Sequence, residues 1–386
     1  MKRALNHHAR GQLSEAEAIY REILEQIPSQ FDALHNLGVL SLQRGDHQAA
    51  LDFFRRSLAI NPRSVPLHLN IGNVLRALKQ PEEAIASYDR ALSLKADYAE
   101  AYNNRATVLR DLKRYEEALA SAERAIAIKP NYMEAHLNRA HALTHLNRPE
   151  DAIESFRETS KYGGDQEQLR YYIAALGAEP PPAASPRSYI ESLFNEYAVR
   201  FDQSLSSLKY GIPELLFNAI VAECPDGGRD VADLGCGTGL CGPLIRPIAR
   251  TLVGVDLSTG MLEKARERAV YDRLINADLT EFLADNTAAF DLIVAADVLI
   301  YIGDLEATFA ATRAALKPGG QFAFSVEAHE GEGFVLRPSR RYAHSLAYLR
   351  QLADRCGFVE RKTIPVVVRQ EEGKDVAGFM AIFDLQ

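Results

Sequence analysis

A period of 34 residues governs the first half of this chain. Blocks of that length begin at Phe31, Val65, Ala99 and Met133 and carry the sequence to residue 166. Their seventh and eighth positions are Leu37-Gly38, Ile71-Gly72, Arg105-Ala106 and Arg139-Ala140, and their twentieth is alanine each time, at 50, 84, 118 and 152. The twenty-fourth is aromatic at Phe54, Tyr88 and Phe156, with Ala122 as the exception. A fixed period constrains the fold strongly, because each copy is a supersecondary unit that buries its apolar face only against its neighbours. Small residues let two helices of a hairpin approach, and the aromatic fills the space that remains. Pro62 and Pro130 end the second helix of their blocks, with Ala96 and Gly164 in that place elsewhere. The register runs backward through Gly11, Ala16, Tyr20 and Pro28, so Met1 falls inside the first helix of an incomplete fifth repeat. Residues 167–176 are expected to form a terminal helix that caps the stack.

This pattern resembles the tetratricopeptide repeat. The resemblance implies an all-α solenoid over residues 1–176 with a curved inner surface for a protein or peptide. Asn70, Asn103, Asn104, Arg105, Asn138 and Arg139 lie on the first helices of successive repeats, where the family's groove residues sit. Either they clamp an extended peptide, or they are polar surface with asparagines bonding between repeats.

With 386 residues the chain exceeds one ordinary core, and a second domain is expected. Residues 177–187, GAEPPPAASPR, read as a semi-rigid proline-rich linker. A net charge of -8 argues against a nonspecific nucleic-acid or anionic-membrane surface. The amino terminus is basic but lacks a following apolar run, so no secretory signal is expected, and the cytoplasm is the expected location. Cys224, Cys236, Cys241 and Cys356 show neither metal-site nor disulfide spacing, and Cys236 and Cys241 read as small packing residues.

From Ser188 apolar residues recur at helical spacing: Tyr189, Leu193, Phe194, Tyr197, Phe201, Leu205 and Leu208. Strands are predicted at 230–234 and near 252–256, 273–276, 290–296 and 321–327, with helices between them, as in a mostly parallel α/β sheet. A helix near 345–356 and strands near 359–364 and 378–384 follow, with 365–377 read as a hairpin turn or short excursion. Between the first strand and its helix stands Asp233-Leu234-Gly235-Cys236-Gly237-Thr238-Gly239, and Asp256 closes the next strand. Glycines there make a tight turn that leaves room for a nucleotide-type cofactor. Pro243 and Pro247 predict a kinked or shortened helix after that turn.

Nicotinamide enzymes share the glycine and acid features. The acid that starts the motif, Asp278 in INADL at the third strand's end, and an antiparallel last strand favour another family. Residues 188–386 resemble the class I S-adenosylmethionine-dependent methyltransferases, and the whole chain is similar to bacterial proteins that join tetratricopeptide repeats to such a domain. There the segments LFNEYAVRFD and RRYAHSLAYLRQLADRCGF flank the common core. The resemblance implies that the turn of Gly235, Cys236, Gly237 and Gly239 holds S-adenosylmethionine, with Gly235 and Gly237 leaving room for its amino acid and ribose and Gly239 letting the following helix pack close to the strand. Asp233 meets its ammonium group directly or through water, Asp256 accepts both ribose hydroxyls, and Asp278 binds the adenine amino group beside a backbone donor at Leu279. Leu257 and Met261 sandwich the base, and Ala296 leaves room near the methyl. Turn or helix-capping roles are the alternative for the three acids.

Methyl transfer is an in-line displacement that needs alignment and at most a weak base. Asp297 either orients an acceptor or caps the next helix, and Tyr301 lines the pocket or packs under it. His329, Arg337, Arg340, Arg341, Tyr342 and His344 form a basic, aromatic cluster, read either as the site of an anionic acceptor with His329 or His344 as base, or as a solvated loop. Tyr197 and Phe201 read as a lid or as core. The Asn/Asp-Pro-Pro-aromatic tetrapeptide of amino-methylating DNA enzymes is absent, which lowers the case for base methylation. The expected function is therefore methyl transfer to a protein or peptide chosen by the repeats. Methylation of a small metabolite or natural product, with the repeats used for assembly or self-association, is the second reading. A non-catalytic interaction scaffold is the third.

Overall fold

Helices paired by the repeat build the first half of the chain. The computed structural model describes residues 1–207, 210–223, 227–371 and 373–386, so Leu208, Cys224 and the side chain of Leu205 lie outside the description. Two compact units emerge, Met1–Leu169 and Arg170–Gln386.

In the first unit the hairpins are α1 (Lys2–Ala9) with α2 (Leu13–Gln26), α3 (Phe31–Gln43) with α4 (His47–Ile60), and α5 (Val65–Ala77) with α6 (Pro81–Leu94). Then come α7 (Ala99–Asp111) with α8 (Tyr115–Ile128), and α9 (Met133–His145) with α10 (Pro149–Lys161). The expected pairing of small and aromatic residues is visible as close approach. A Cβ on Gly38 would sit 2.5 Å from the Phe54 ring, and one on Gly72 would sit 2.4 Å from Tyr88. Each hairpin turns through one left-handed residue at the same place in the repeat: Gly11, Gly45, Lys79, Lys113 and Asn147, with φ between 55 and 77°. Between repeats, the carbonyls of Pro62 and Pro130 accept from the Nε2 atoms of His68 and His136 at 2.9 and 2.8 Å.

The groove candidates are engaged with one another and with neighbouring helices. Asn104 donates to Asn73 at 2.9 Å and Asn138 to Asn103 at 2.9 Å, which ties first helices of successive repeats together. Arg105 bridges α6 and α8 through Asp89 and Ser121, at 2.7 and 2.6 Å. Arg139 does the same through Glu123 and Ser155, and Asn70 meets His35 at 3.4 Å. Inter-repeat bonding is the role these side chains occupy.

The second unit begins inside α11 (Gln166–Ala175), expected to cap the repeats. Within it Tyr171, fully buried, donates its hydroxyl to the carbonyl of Arg340 and packs on the rings of Tyr189 and Tyr342. The expected linker is likewise built into this unit. The Ala183 carbonyl accepts from Gly303 and Asp304 N–H at 2.8 Å, Ser185 N–H donates to Tyr301 at 2.8 Å, and Tyr342 donates to Pro182 at 2.8 Å. Residues 170–187 therefore belong to the second unit. The proline-rich stretch is held by another segment's backbone, which composition alone does not reveal.

The remaining helices are α12 (Arg187–Tyr197), α13 (Phe201–Ser207), α14 (Ile212–Glu223), α15 (Gly242–Ile245), α16 (Thr259–Glu267), α17 (Leu279–Ala284), α18 (Glu306–Ala315) and α19 (Leu346–Arg355). The strands are β1 (Arg229–Leu234), β2 (Ala249–Asp256), β3 (Arg273–Asn276), β4 (Phe290–Ala295), β5 (Leu316–Ala328), β6 (Phe334–Leu336), β7 (Tyr342–His344), β8 (Phe358–Glu371) and β9 (Lys374–Leu385). They form one sheet, ordered β3-β2-β1-β4-β5-β7-β6, with β9 pairing β5 and β8. β1 to β5 are parallel, and β9 runs antiparallel to β5 from Gln321↔Asp384 to Glu327↔Gly378, as the resemblance implies. Both faces are covered, one by Phe282, Phe309, Leu349 and Leu352, the other by Leu216, Ile220 and Ile245.

Two local expectations change. The span 365–377 is strand for most of its length, since β8 continues to Glu371 and β9 starts at Lys374. Pro365 is tolerated because β8 bonds only to β9 and lies at an edge. α15 is cut to residues 242–245 and gives way to a 3-10 turn over 246–248, as Pro247 foretells. No helix among the described residues is long and apolar enough to cross a membrane.

Candidate functional site

At the carboxyl ends of β1, β2 and β4 lies a cavity of about 360 Å³. The glycine turn makes its floor. Gly235, Gly237 and Gly239 have φ of 60, 55 and 83°, a region L side chains rarely occupy. A Cβ on Gly235 would strike Val298 at 2.3 Å, whereas one on Gly237 would meet nothing within 3.9 Å, so the space over Gly237 is open. Cys236 also lines the cavity. Burial raises the thiols of Cys236 and Cys241 well above their ordinary value, in keeping with packing roles.

Asp256 joins β2 to this turn. Its Oδ2 accepts Gly237 N–H at 2.9 Å and its Oδ1 accepts Ser258 N–H at 2.8 Å. Burial nonetheless raises its carboxyl above the usual range, against those two backbone donors. Each oxygen keeps a lone pair for a further donor. Leu257, Met261, Ala277, Asp278 and Leu279 continue the wall as a narrow, largely apolar side. Asp278 caps α17, its Oδ1 accepting from Thr280 and Glu281 N–H at 2.8 and 3.1 Å. Capping and cavity lining therefore coincide in one residue, with Oδ2 outside the cap.

Asp233 is not brought to the wall, and Gly239 stands behind it in the packing role expected of it. Asp233 is 1% exposed and accepts the Tyr271 hydroxyl at 2.6 Å. Burial lifts its carboxyl to about 7 despite that hydrogen bond. A Cβ on Gly239 would sit 2.9 Å from the Tyr271 ring, so this glycine serves helix packing. Both residues support the turn from behind.

Aromatic residues close the opposite side: Phe194 and Tyr197 of α12, Phe201 of α13, and Tyr301. Phe194 meets Phe201 and Tyr301 edge to face, at 6.1 and 5.4 Å between centroids. Polar bonds hold these helices over the cavity. Asn195 accepts from Ser258 Oγ at 2.7 Å and Gly260 N–H at 3.0 Å, while Asp202 accepts from Thr238 at 2.5 Å and Arg268 at 2.6 Å. Ala184 and Ser185, from the stretch expected to be linker, complete the rim.

Beyond Ala296 the wall becomes charged. Asp297 has φ of 56° and is anchored by its own N–H to Ser325 Oγ at 2.8 Å. Its Oδ2 accepts from Arg369 Nη1 at 2.8 Å, and its Oδ1 is buried with no hydrogen-bond partner among the described residues. Burial raises this carboxyl to about 6, with Arg369 opposing the rise. Arg369 also donates to Glu327 and, at 2.8 Å, to Glu371.

Neither histidine of the basic cluster reaches the cavity. His344 is fully buried, bonded through Nε2 to the carbonyls of Ile302 and Gly303 at 2.9 and 3.1 Å, and burial lowers its pKa to about 4. It fastens β7 to the turn after β4. His329 packs its ring against Gly331, where a Cβ would sit 2.4 Å away. Arg337 and Arg341 pair with Glu327, and Arg340 stacks over Tyr172 at 5.0 Å. Arg337 and Arg341 thus balance an internal acid, and of this cluster only Arg341 lines the cavity.

Sequence reading missed Arg369, Glu327, Glu371 and Tyr210. The cause for Arg369 is a β-bulge between Val367 and Arg369, which leaves Val368 and Arg369 both buried while Val367 is exposed. A bulge re-aims a side chain without altering composition. An acid ending the fifth strand, Glu327, was the available signal.

Among known proteins, residues 232–322 match the Methyltransferase domain family, and residues 1–65, 64–131 and 109–176 match Tetratricopeptide repeat families. The chain is 31% identical to the biotin biosynthesis bifunctional protein BioHC of Saccharophagus degradans, over 36% of this chain and 25% of that one. It is 36% identical to a ubiquinone biosynthesis O-methyltransferase of Brucella melitensis, over 25% of this chain and 40% of that one. A SAM-dependent methyltransferase structure from Methanosarcina mazei aligns at 16% identity and a TM-score of 0.37, over 43% of this chain and 96% of that one. The chain spans a quarter to two-fifths of the length of the two curated relatives.

Proposed function

We propose that this chain, in which tetratricopeptide repeats are joined to a methyltransferase domain of the S-adenosylmethionine-dependent class I kind, transfers a methyl group to a protein or peptide engaged by the repeats. The observation that carries the methyl-transfer reading is Asp256 at the mouth of a sheet whose last strand, β9, runs antiparallel to β5. Two backbone N–H groups fix the orientation of Asp256, and each of its oxygens keeps a lone pair toward a cavity floored by Gly237. Two cis ribose hydroxyls suit such a carboxylate. The residues present fit the cofactor: open space over Gly237 for its amino-acid arm, and a slot of Leu257, Met261 and Leu279 for its base, with Asp278 at the rim. When bound, S-adenosylmethionine supplies an electrophilic methyl on a sulfonium sulfur. The chain's own part is to hold, orient and dry the site. Tyr197 and Phe201 screen it from water, and Ala296 leaves room for an approaching acceptor.

Calorimetry with S-adenosylhomocysteine and with NAD tests the reading. Binding of the first and not the second is expected, with at least tenfold weaker affinity in Asp256→Ala, since charged hydrogen bonds contribute about 1.5–3 kcal/mol. Tight NAD uptake without S-adenosylhomocysteine binding would overturn it.

A small-molecule acceptor is the second reading. It is favoured by the cavity wall, whose lining residues all fall between 184 and 371, and by the small-molecule pathway in the name of the Brucella relative. Methyl-labelled cofactor added to cell lysate with the full chain separates the two. Label in a protein band supports the first, and label confined to the small-molecule fraction the second.

A further inference from the structure

We infer that Asp297, held by Arg369, receives the hydrogen-bearing hydroxyl or amine of the methyl acceptor and takes its proton, so that carboxylate acceptors are excluded. The inference rests on the methyl-transfer reading and names the acceptor class for that site.

The geometry is specific to this corner of the cavity. Asp297 lines the wall next to Ala296, and its Oδ1 is a buried oxygen with no hydrogen-bond partner among the described residues. A buried polar atom left unpaired costs about 1–3 kcal/mol, so a ligand that satisfies it is favoured. What Oδ1 lacks is a donor, which an O–H or N–H provides and a carboxylate does not.

The charges around it point the same way. Arg369 and Glu371 reach this corner from β8, Glu327 from β5, Arg341 from just before β7, Tyr301 from the turn after β4, and Tyr210 from the segment before α14. All three nitrogens of Arg369 donate to carboxylates: Nη1 to Asp297, Nη2 to Glu327 and Nε to Glu371. Arg341 is shared between Glu327 and Glu371. The two arginines that line the cavity, Arg341 and Arg369, are thus already matched by acids, and an added carboxylate would face Asp297 and Glu371. Burial brings the Asp297 carboxyl to about 6, so it is ionised near neutral pH yet basic enough to accept a proton.

The step balances. The acceptor's O–H or N–H bond breaks, its proton goes to Asp297 and later to water, and its lone pair forms the bond to the methyl carbon. The electron pair of the broken carbon–sulfur bond stays on sulfur. Arg369 is a positioning residue that acts through Asp297.

The test uses the full chain, methyl-labelled S-adenosylmethionine and cell lysate. Labelled product that survives mild alkali is expected, as for ethers and methylated amines. Label released as methanol would mark a methyl ester and overturn the inference. Asp297→Asn should lower transfer about 100-fold or more while S-adenosylhomocysteine affinity, read by calorimetry, stays within twofold. Undiminished transfer in that variant would also overturn it. The wild-type rate should rise with pH through about 6 and then level off. In Arg369→Lys that midpoint should move upward, whereas a merely structural role would leave it in place. Absence of S-adenosylhomocysteine binding by the wild type would instead refute the methyl-transfer reading itself.

Discussion

Tyr271 donates its hydroxyl to Asp233 Oδ2 across 2.6 Å, and its ring fills the space left open by Gly239, Gly242 and Gly254. The acid that opens the glycine motif is thereby taken out of the cavity and spent on holding the turn.

A pH dependence follows from the burial of Asp233. Its carboxyl rises from 3.8 to about 7 on folding, so the folded state keeps a proton that the unfolded state releases. Stability contributed by this group is present below about 4 and lost as pH climbs toward 7. Relative to wild type, Asp233→Asn should gain on the order of 3 kcal/mol between pH 4 and pH 8. Urea denaturation at both pH values checks this, and a constant difference would contradict it.

Gly72→Ala should destabilise the repeats. The new methyl would lie 2.4 Å from the Tyr88 ring, and overpacking of that kind costs about 1–3 kcal/mol. Pairing it with Tyr88→Leu should recover part of the loss in thermal unfolding, which a general helix defect would not allow.

Lys113→Gly should do the opposite. Lys113 is exposed and holds φ of 61° at the turn where Gly11 and Gly45 stand in other repeats. Relief of that conformation outweighs the added freedom of the unfolded chain, and a gain of about 0.5–1 kcal/mol is expected from denaturant midpoints.

Asn195→Ala should loosen the aromatic cover. Loss of its bonds to Ser258 and Gly260 removes about 1 kcal/mol from closure, enough to weaken S-adenosylhomocysteine binding roughly fivefold. Affinity equal to wild type would show that α12 stays seated without this latch.

What the sequence determined by itself is periodic or local. The 34-residue register set the hairpins, because Gly38 and Gly72 admit their aromatic partners only at that spacing. The glycine turn, Asp256, and the shortening of α15 by Pro247 were also legible, since each depends on neighbours in the chain. The tertiary structure decided where distant segments meet. Asp233 turned to Tyr271, Ala183 and Ser185 of the proline-rich stretch bonded to residues 301–304, and Tyr171 packed on Tyr189. Above all, one bulge in β8 put Arg369 beside Asp297, 72 residues away in sequence. Such encounters follow from strand register and burial, and neither is written in any single segment.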